Sequence, residues 1–264
     1  MTAAAPGSGG GAGQDGMGCG RMTEQKPMSK DIKPAAEVFD EYGTTYSDTV
    51  NDAVRFTGLD VDFFTRVKAG YILDLCEAHF GDTAGIRALD VGCGVGNFHD
   101  LLGPRFASLT GVDVSAASIG QAVSRRRPRT RYDIYDGRRL PYEDGSFDLA
   151  FTICVMHHVP TDQWEAFSRE MFRVVRKGGL ALVFEHNPRN PLTMRAVNNC
   201  PFDVDAVLLR AERTKDLLAG AGFEAIEGRY ILSIPAGNRA LRRVDGLFSK
   251  IPFGAQYYVR ATKA

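Results

Sequence analysis

Arg87-Ala-Leu-Asp-Val-Gly-Cys-Gly-Val-Gly-Asn97 is the part of this chain from which its architecture is read most directly. After Arg87 its first half is apolar apart from Asp90, as in a buried strand, and it then breaks into three alternating glycines, Gly92, Gly94 and Gly96. Glycine lacks the Cβ that would keep a ligand away from the backbone. The residues that follow can begin a helix whose free N–H groups point back towards the glycines. A strand, a glycine turn and a helix N-terminus together predict a site that cradles a nucleotide.

The spacing of the glycines distinguishes two kinds of nucleotide site. The dinucleotide fingerprint G-x-G-x-x-G would place its third glycine at position 97, where this chain has Asn97. Instead, an acid stands two residues before the first glycine, in the pattern Asp90-x-Gly92-x-Gly94-x-Gly96. This pattern resembles the first motif of the class I S-adenosylmethionine (SAM) dependent methyltransferases. The resemblance is to the small-molecule type of that family, which includes the quinone, lipid and sugar methyltransferases.

Four further segments resemble the same family, in the order in which the family has them. They are Leu109–Ser115, Tyr135–Leu149, Val155–Val159 and Arg176–Phe184. The resemblance implies an α/β fold with a Rossmann-like, doubly wound, mostly parallel sheet of seven strands, the last of them antiparallel.

The pattern of apolar residues agrees with this fold class. Strand-like runs alternate with helical segments, which favours a parallel sheet. These runs lie at 87–92, 107–113, 130–136, 147–153 and 180–185. Two later runs, 223–232 and 255–261, have no large crossover between them and suit an antiparallel pair at one edge.

Composition divides the chain into an N-terminal extension and one domain. Residues 1–33 are rich in Gly, Ala, Ser and Met and poor in large apolar side chains, so we expect disorder there. Residues 34–264 are expected to form a single methyltransferase domain. Within it, 34–80 is interpreted as a helical lid and packing segment and 186–213 as a substrate-side insertion.

The charge, hydropathy and cysteine content of the chain indicate which kinds of partner and site are not expected. The 32 basic and 32 acidic residues cancel, so no overall field favours nucleic acid. The basic run Arg125–Arg129 is interpreted as the solvated end of a helix rather than as a phosphate site. No run of about 18 apolar residues occurs, so no membrane span is expected. The five cysteines lack zinc-ligand spacing and fit reduced thiols, so we expect a cytoplasmic protein without a metal site.

The resemblance implies that SAM is the cofactor and that it lies at the carboxyl ends of the first strands. Asp90 and the three glycines would hold the methionine part. Asp113, which ends the second strand, would accept hydrogen bonds from both ribose hydroxyls, and Asp136 one from the adenine amino group. The other residues assigned to this site are Val114, Gly137, Ile153 and Tyr46.

Each of these acids also has a purely structural interpretation. Asp90 could cap the glycine turn or the helix that follows. Asp113 could cap the helix from Ala116 onward, although Ser115 is the better cap. Asp136 could do no more than shape its own turn.

Methyl transfer from a sulfonium depends mainly on alignment of the reacting atoms, and a base is needed only where the acceptor must lose a proton. The candidate catalytic residues follow the fourth and fifth strands and are His157, His158, Glu185 and His186. A neutral histidine can accept a proton near working pH. Any of them could instead be a packed polar residue that frames the ligand, and Glu185 could bind a substrate hydroxyl.

The absence of two sequence motifs limits the classes of methyl acceptor that we expect. No Asn/Asp-Pro-Pro-aromatic motif follows the fourth strand, and Cys154 follows Ile153 rather than a proline. Methylation of DNA bases is therefore not expected. We predict a SAM-dependent methyltransferase acting on an oxygen or carbon of a small molecule or glycan precursor. The alternatives are a non-catalytic protein that binds SAM or its demethylated product, and an NAD-dependent oxidoreductase.

Overall fold

A seven-stranded sheet in the order β3-β2-β1-β4-β5-β7-β6 confirms the expected fold. The computed structural model describes residues 46–264, with side chains from residue 48 onward. The predicted extension over 1–33 therefore lies outside the described residues, and the division into an extension and one domain stays a prediction. The strands are β1 Arg87–Val91, β2 Ser108–Asp113, β3 Thr130–Ile134, β4 Phe147–Ile153, β5 Val175–His186, β6 Glu224–Ile231 and β7 Gln256–Thr262.

Strand direction follows the predicted pattern. The strands β1 to β5 are parallel to one another, and β7 lies antiparallel between β5 and β6. Strand order reverses between β1 and β4, and in open α/β sheets ligands bind at the carboxyl edge beside such a point. The motif residues at the ends of β1, β2, β4 and β5 therefore meet along one edge.

Eight α-helices are present in residues 46–264. They are α1 Tyr46–Val54, α2 Val61–Phe80, α3 His99–Leu102, α4 Ala116–Ser124, α5 Trp164–Val174, α6 Pro191–Asn198, α7 Ala211–Ala221 and α8 Arg239–Gly246. None of them is long and apolar enough to cross a bilayer. The sequence pattern did not predict α8.

Two apolar layers cover the sheet. On one face α5 and α7 pack against strand residues such as Val91 and Val259. On the other face Val67 and Ile72 of α2 pack in the layer that contains Phe151. The strand β5 begins at Val175, earlier than expected, because Val175 pairs with Phe147 beyond an irregularity in the β4–β5 register. Both layers bury nonpolar surface and hold the carboxyl edge of the sheet in place.

We expect Gly254→Ala to lower the free energy of unfolding by about 1–3 kcal/mol, the usual cost of overpacking. A Cβ at Gly254 would lie 2.4 Å from the carbonyl oxygen of Ile231, so the backbone would have to move. The matched control is Gly120→Ala in α4, where an added Cβ meets no atom within 4 Å. That variant should gain roughly 0.5–1 kcal/mol from helix propensity. Urea unfolding measures both, and equal stabilities would contradict the described β6–β7 packing.

Candidate active site

The glycine turn between β1 and α3 presents bare backbone to open space. A Cβ at Gly92, where φ is +78°, would lie 2.5 Å from Val155 Cγ2, so this position excludes any side chain. A Cβ at Gly94, where φ is +51°, would meet no protein atom within 4 Å. The N–H groups of Gly92 and Cys93 both donate to the carbonyl of Val112, which fixes the turn against β2. The turn thus has the geometry of a ligand cradle.

Asp113 joins this turn to the end of β2. Its buried carboxylate accepts from the N–H of Gly94 through Oδ2 at 2.7 Å and from the N–H of Ser115 through Oδ1 at 2.9 Å. Ser115 caps α4 by accepting from the N–H of Ser118, as the sequence indicated. Burial raises the pKa of Asp113, against the opposing effect of these backbone bonds. Each carboxylate oxygen has a second lone pair with which to accept from a ligand hydroxyl.

Asp90 lies buried beneath the turn and belongs to a chain of polar contacts that sequence reasoning missed. Asp90 Oδ2 is 3.0 Å from His99 Nε2, and His99 Nδ1 is 2.9 Å from the hydroxyl of Tyr132. That hydroxyl accepts from Arg127, whose guanidinium also binds both oxygens of Asp100. Burial raises the pKa of Asp90. A histidine three residues after the last glycine was the available signal.

Three of the remaining residues assigned to the cofactor, Val114, Asp136 and Gly137, lie in the segments after β2 and β3. A Cβ at Gly137 would be 3.4 Å from Val114 Cγ1, so the segments after β2 and β3 approach each other there. Asp136 is exposed and accepts from the N–H groups of Arg139 and Arg138, which lower its pKa. It therefore shapes its own turn, and a contact with adenine stays a prediction. The side chain of Tyr46 lies outside the described part of the chain.

The candidate catalytic residues meet at the carboxyl ends of β4 and β5. Glu185 is fully buried, and its Oε1 accepts from the N–H groups of Val155 and Met156 at 3.1 and 2.8 Å. Its other oxygen, Oε2, lies 2.5 Å from Nδ1 of His157. One carboxylate therefore orients both the backbone after β4 and the imidazole that this backbone carries.

A second carboxylate, Asp203, approaches the same histidines from the insertion. It stands in the short 3-10 turn Pro201–Asp203, 3.6 Å from His157 Nε2 and 3.3 Å from His158 Nε2. The ring centroids of His157 and His186 are 5.2 Å apart. Asp203 lies within the predicted substrate-side insertion, but nothing in the local pattern marked it as a partner of the histidines.

The two carboxylates divide the histidines into one charged and two neutral rings. Burial alone would lower the pKa of His157, but the charges of Glu185 and Asp203 outweigh burial and raise it to about 10. Burial and the charge of His157 lower the pKa of His158, and they lower that of His186 to about 4. At neutral pH, His157 is therefore an imidazolium between two anions, and His158 and His186 are neutral.

Among residues 46–264, this same cluster has side chains that could bind a metal ion. The ligand atoms of His157, His158 and Asp203 all lie within 4.8 Å of one another. Charge pairing accounts for this arrangement, because Asp203 contacts both rings directly and Glu185 occupies the other nitrogen of His157. The expected absence of a metal site stays a prediction.

A cavity of about 360 Å³ lies beside this cluster and extends to the residues after the glycine turn, Asn97 and Phe98. Its floor includes Ile153 at the end of β4. Most of its wall is apolar and comes from α1, α2, α6 and the segments around them. The aromatic members of this wall are Phe56, Phe64, Phe98, Phe202 and Phe253. An apolar cavity with a few polar groups at one end is the usual form of a small-molecule site.

Two polar side chains of the cavity lack the partners that buried groups usually have. Lys68 is 7% exposed, and its Nζ lies 3.8 Å from Cys154 Sγ and 5.6 Å from the centre of the Phe98 ring. No carboxylate of the described chain forms an ion pair with it. Gln256 Nε2 lies 3.3 Å from His186 Nδ1, while its buried Oε1 has no partner in residues 46–264. The signal for Lys68 was its place as the single lysine on the apolar side of α2.

Comparison with known proteins gives one family. A family model described as a methyltransferase domain matches residues 89–183. A 2-methyl-6-phytyl-1,4-hydroquinone methyltransferase from Synechocystis is 30% identical over 109 residues, which are 40% of this chain and 34% of that protein. A ubiquinone biosynthesis O-methyltransferase from Rhizobium etli is 27% identical over 67% of this chain and 78% of its own length. The match thus spans about a third of the first relative and most of the second.

Solved structures share the fold. A SAM-dependent methyltransferase from Thermotoga maritima superposes with a TM-score of 0.62 at 20% identity, covering 87% of this chain and all of that one. A geranyl diphosphate C-methyltransferase from Streptomyces coelicolor gives a TM-score of 0.60 at 17% identity, covering 88% and 99%. At these identities the likeness concerns the architecture alone.

We expect Glu185→Gln to lower the pKa of His157 from about 10, because the Glu185 carboxylate is the charge that raises it most. The raised pKa means that this pairing stabilises the fold fully below the ordinary histidine value, about 6.5, and that the stabilisation is lost as pH rises through about 10. The variant should lose about 3 kcal/mol of stability at neutral pH, the scale of a broken buried pair.

Imidazole nitrogen chemical shifts measured against pH report the first effect, and denaturant unfolding reports the second. The control is Glu143→Gln, an exposed acid in the loop before β4, which should change neither. An unaltered His157 titration in Glu185→Gln would contradict the assigned charge state.

Proposed function

We propose that this chain, as a class I S-adenosylmethionine-dependent methyltransferase, transfers a methyl group from SAM to an oxygen or carbon of a small molecule. The observation that carries the proposal is the cavity, which extends from Asn97 and Phe98, just after the glycine turn, to a wall of histidines. Its apolar lining favours an acceptor with an apolar body. A glycan precursor and a cytoplasmic location, both expected from the sequence, stay predictions.

The chain offers backbone and carboxylate groups that suit SAM, which when bound supplies a methyl group already activated by its sulfonium. The backbone at Gly94 borders open space and allows a ligand to lie against it. Asp113 stands at the end of the next strand with lone pairs free for the ribose hydroxyls. These groups support the assignment of the cofactor site to the carboxyl ends of β1 and β2.

Lys68 adds a group that the sequence assignment did not contain. A buried cation without a paired anion is unfavourable unless a ligand supplies the counter-charge. Lys68 lies against Phe98, directly after the glycine turn, and the methionine part of SAM carries a carboxylate. We therefore assign Lys68 to that carboxylate.

On the acceptor side, His157 and Glu185 act as positioning residues. His157 is nearly inaccessible and already bound at both nitrogens, so its part is to hold the neighbouring rings and the backbone after β4. His186 is neutral and lines the cavity, and it is our candidate to receive the proton of the acceptor. A half-turn of the Gln256 amide would place its oxygen at His186 Nδ1–H and leave Nε2 to accept that proton.

The low pKa of His186 bears on the kind of acceptor. An imidazole that titrates near 4 is a weak base, so it suits a hydroxyl that is itself acidic, such as a phenol or an enol, better than an alcohol. The aromatic side chains of the cavity can pack against such a ring. The apolar walls also exclude water, which would otherwise compete for the methyl group.

Calorimetric titration with SAM and with S-adenosylhomocysteine tests the proposal. The wild-type protein should bind both, and Asp113→Ala should weaken binding by about 1–3 kcal/mol, the scale of charge-assisted hydrogen bonds. Asp162→Ala, an exposed acid before α5, is the control and should bind normally. Absence of binding by the wild type would overturn the proposal. Transfer of radiolabel from SAM to a panel of phenols, quinols and sugars then separates an enzyme from a protein that only binds SAM.

We expect Lys68→Met to weaken S-adenosylhomocysteine binding by about tenfold or more, because a buried charge-assisted contact is worth roughly 1.5–3 kcal/mol. Binding of 5′-methylthioadenosine, which lacks the amino-acid part, should stay the same. Stability should not fall, because an unpaired buried charge is removed. Lys68→Arg should retain part of the affinity, and Lys177→Met, at the exposed start of β5, is the control. Equal losses for both ligands would instead indicate a general disturbance of the site.

A further inference from the structure

The helix α8 faces the protein with its charged side. Surface helices normally direct an apolar stripe to the core. In α8 the fully buried residue is Asp245, which accepts from the hydroxyl of Tyr71 at 2.6 Å and from the N–H of Leu232 at 2.8 Å and of Ser233 at 2.9 Å. The apolar side chains of α8 are therefore not the ones that attach it to the domain.

Those apolar side chains, and the ones just after the helix, are exposed to solvent. Six large apolar residues between positions 241 and 253 are exposed, and Leu247 and Phe253 are the most exposed of them at 78% and 74%. The six are Leu241, Val244, Leu247, Phe248, Ile251 and Phe253. Single exposed apolar residues are ordinary, but a concentration of this kind marks an interaction surface.

Hydrogen bonds hold this segment in its exposed position. The side-chain amide of Asn187 donates to the carbonyls of Pro252 and Gly254, and that of Asn190 donates to the carbonyl of Phe253. The N–H of Tyr230 donates to the carbonyl of Ser249. The exposure is therefore built into the fold.

The charge of the segment indicates what covers it. Residues 239–253 contain three arginines and one lysine, while their single acid, Asp245, is buried. Arg239 and Arg242 pair with acids of α2. Arg243 and Lys250 are exposed and form no ion pair within residues 46–264. Exposed cations beside exposed Leu, Phe and Ile side chains match a membrane surface that contains anionic lipids.

We propose that the membrane-facing segment, residues 239–253, docks this protein on an anionic lipid surface without crossing it. Phe253 belongs both to this segment and to the wall of the cavity. A lipid-soluble acceptor could therefore pass from the membrane to the cavity along an apolar path. That last step depends on the proposed methyl transfer, but the docking surface does not.

Sedimentation of the full chain with lipid vesicles tests the proposal. It should bind phosphatidylcholine vesicles that contain phosphatidylglycerol, bind weakly without that lipid, and dissociate as salt rises. The double variant Leu247→Ser with Phe248→Ser should bind at least about tenfold more weakly than the wild type, because two apolar side chains are removed from the interface. Val123→Ser, an exposed apolar residue of α4, is the control and should bind normally.

Arg243→Gln and Lys250→Gln should each reduce vesicle binding about fivefold, while the control Arg213→Gln on α7 should not reduce it.

All of these positions are exposed, so melting temperatures should be unchanged. Lack of binding to the anionic vesicles would overturn the proposal, as would equal binding by the Leu247 and Phe248 double variant. Self-association that this double variant abolishes, without vesicle binding, would assign the surface to a second copy of the chain and would also overturn it. The double variant should bind S-adenosylhomocysteine like the wild type. If no form of the protein binds that ligand while vesicle binding persists, the proposed function alone fails.

Discussion

An imidazolium held between two buried carboxylates joins three separate parts of this protein. His157 lies in the turn after β4, Glu185 lies next to the last residue of β5, and Asp203 belongs to the insertion that follows. Burying one charge would be costly, but the cation between two anions, with Glu185 also bound to two backbone N–H groups, leaves little charge unsatisfied. The position of the insertion over the sheet, and hence one wall of the cavity, depends on this pairing.

The pairing also sets the chemistry of its neighbours. Burial, together with the positive charge of His157, lowers the pKa of His158 and of His186, so the protein presents uncharged imidazoles to an apolar cavity. Lys68 contrasts with these neutral rings. Its charge, which no acid of the described residues balances, lies between Phe98, after the glycine turn, and Cys154, after β4. A ligand with an anionic group near Lys68 and an apolar, weakly acidic group near the histidines fits this arrangement.

The segment 239–253 is stabilised in a way that frees its apolar side chains for another purpose. Asp245 fixes α8 to Tyr71 of α2 and to the backbone after β6, and this polar attachment replaces the usual apolar one. A fold that needed these leucine and phenylalanine side chains for its own core would have turned the helix round. The structure therefore separates the residues that hold the segment from the residues that it presents.

The sequence by itself determined the order of the strands and of the helices other than α8, the glycine turn, and the positions of Asp113 and the histidines at strand ends. These features follow from local periodicity and from fixed spacings along the chain. Only the tertiary structure decided that Asp203 meets His157, that His99 meets Asp90, and that Lys68 faces the cavity. These contacts depend on which distant segments pack together. The charge of each histidine depends in turn on burial and on neighbours that are remote in the chain, and no local pattern contains that information.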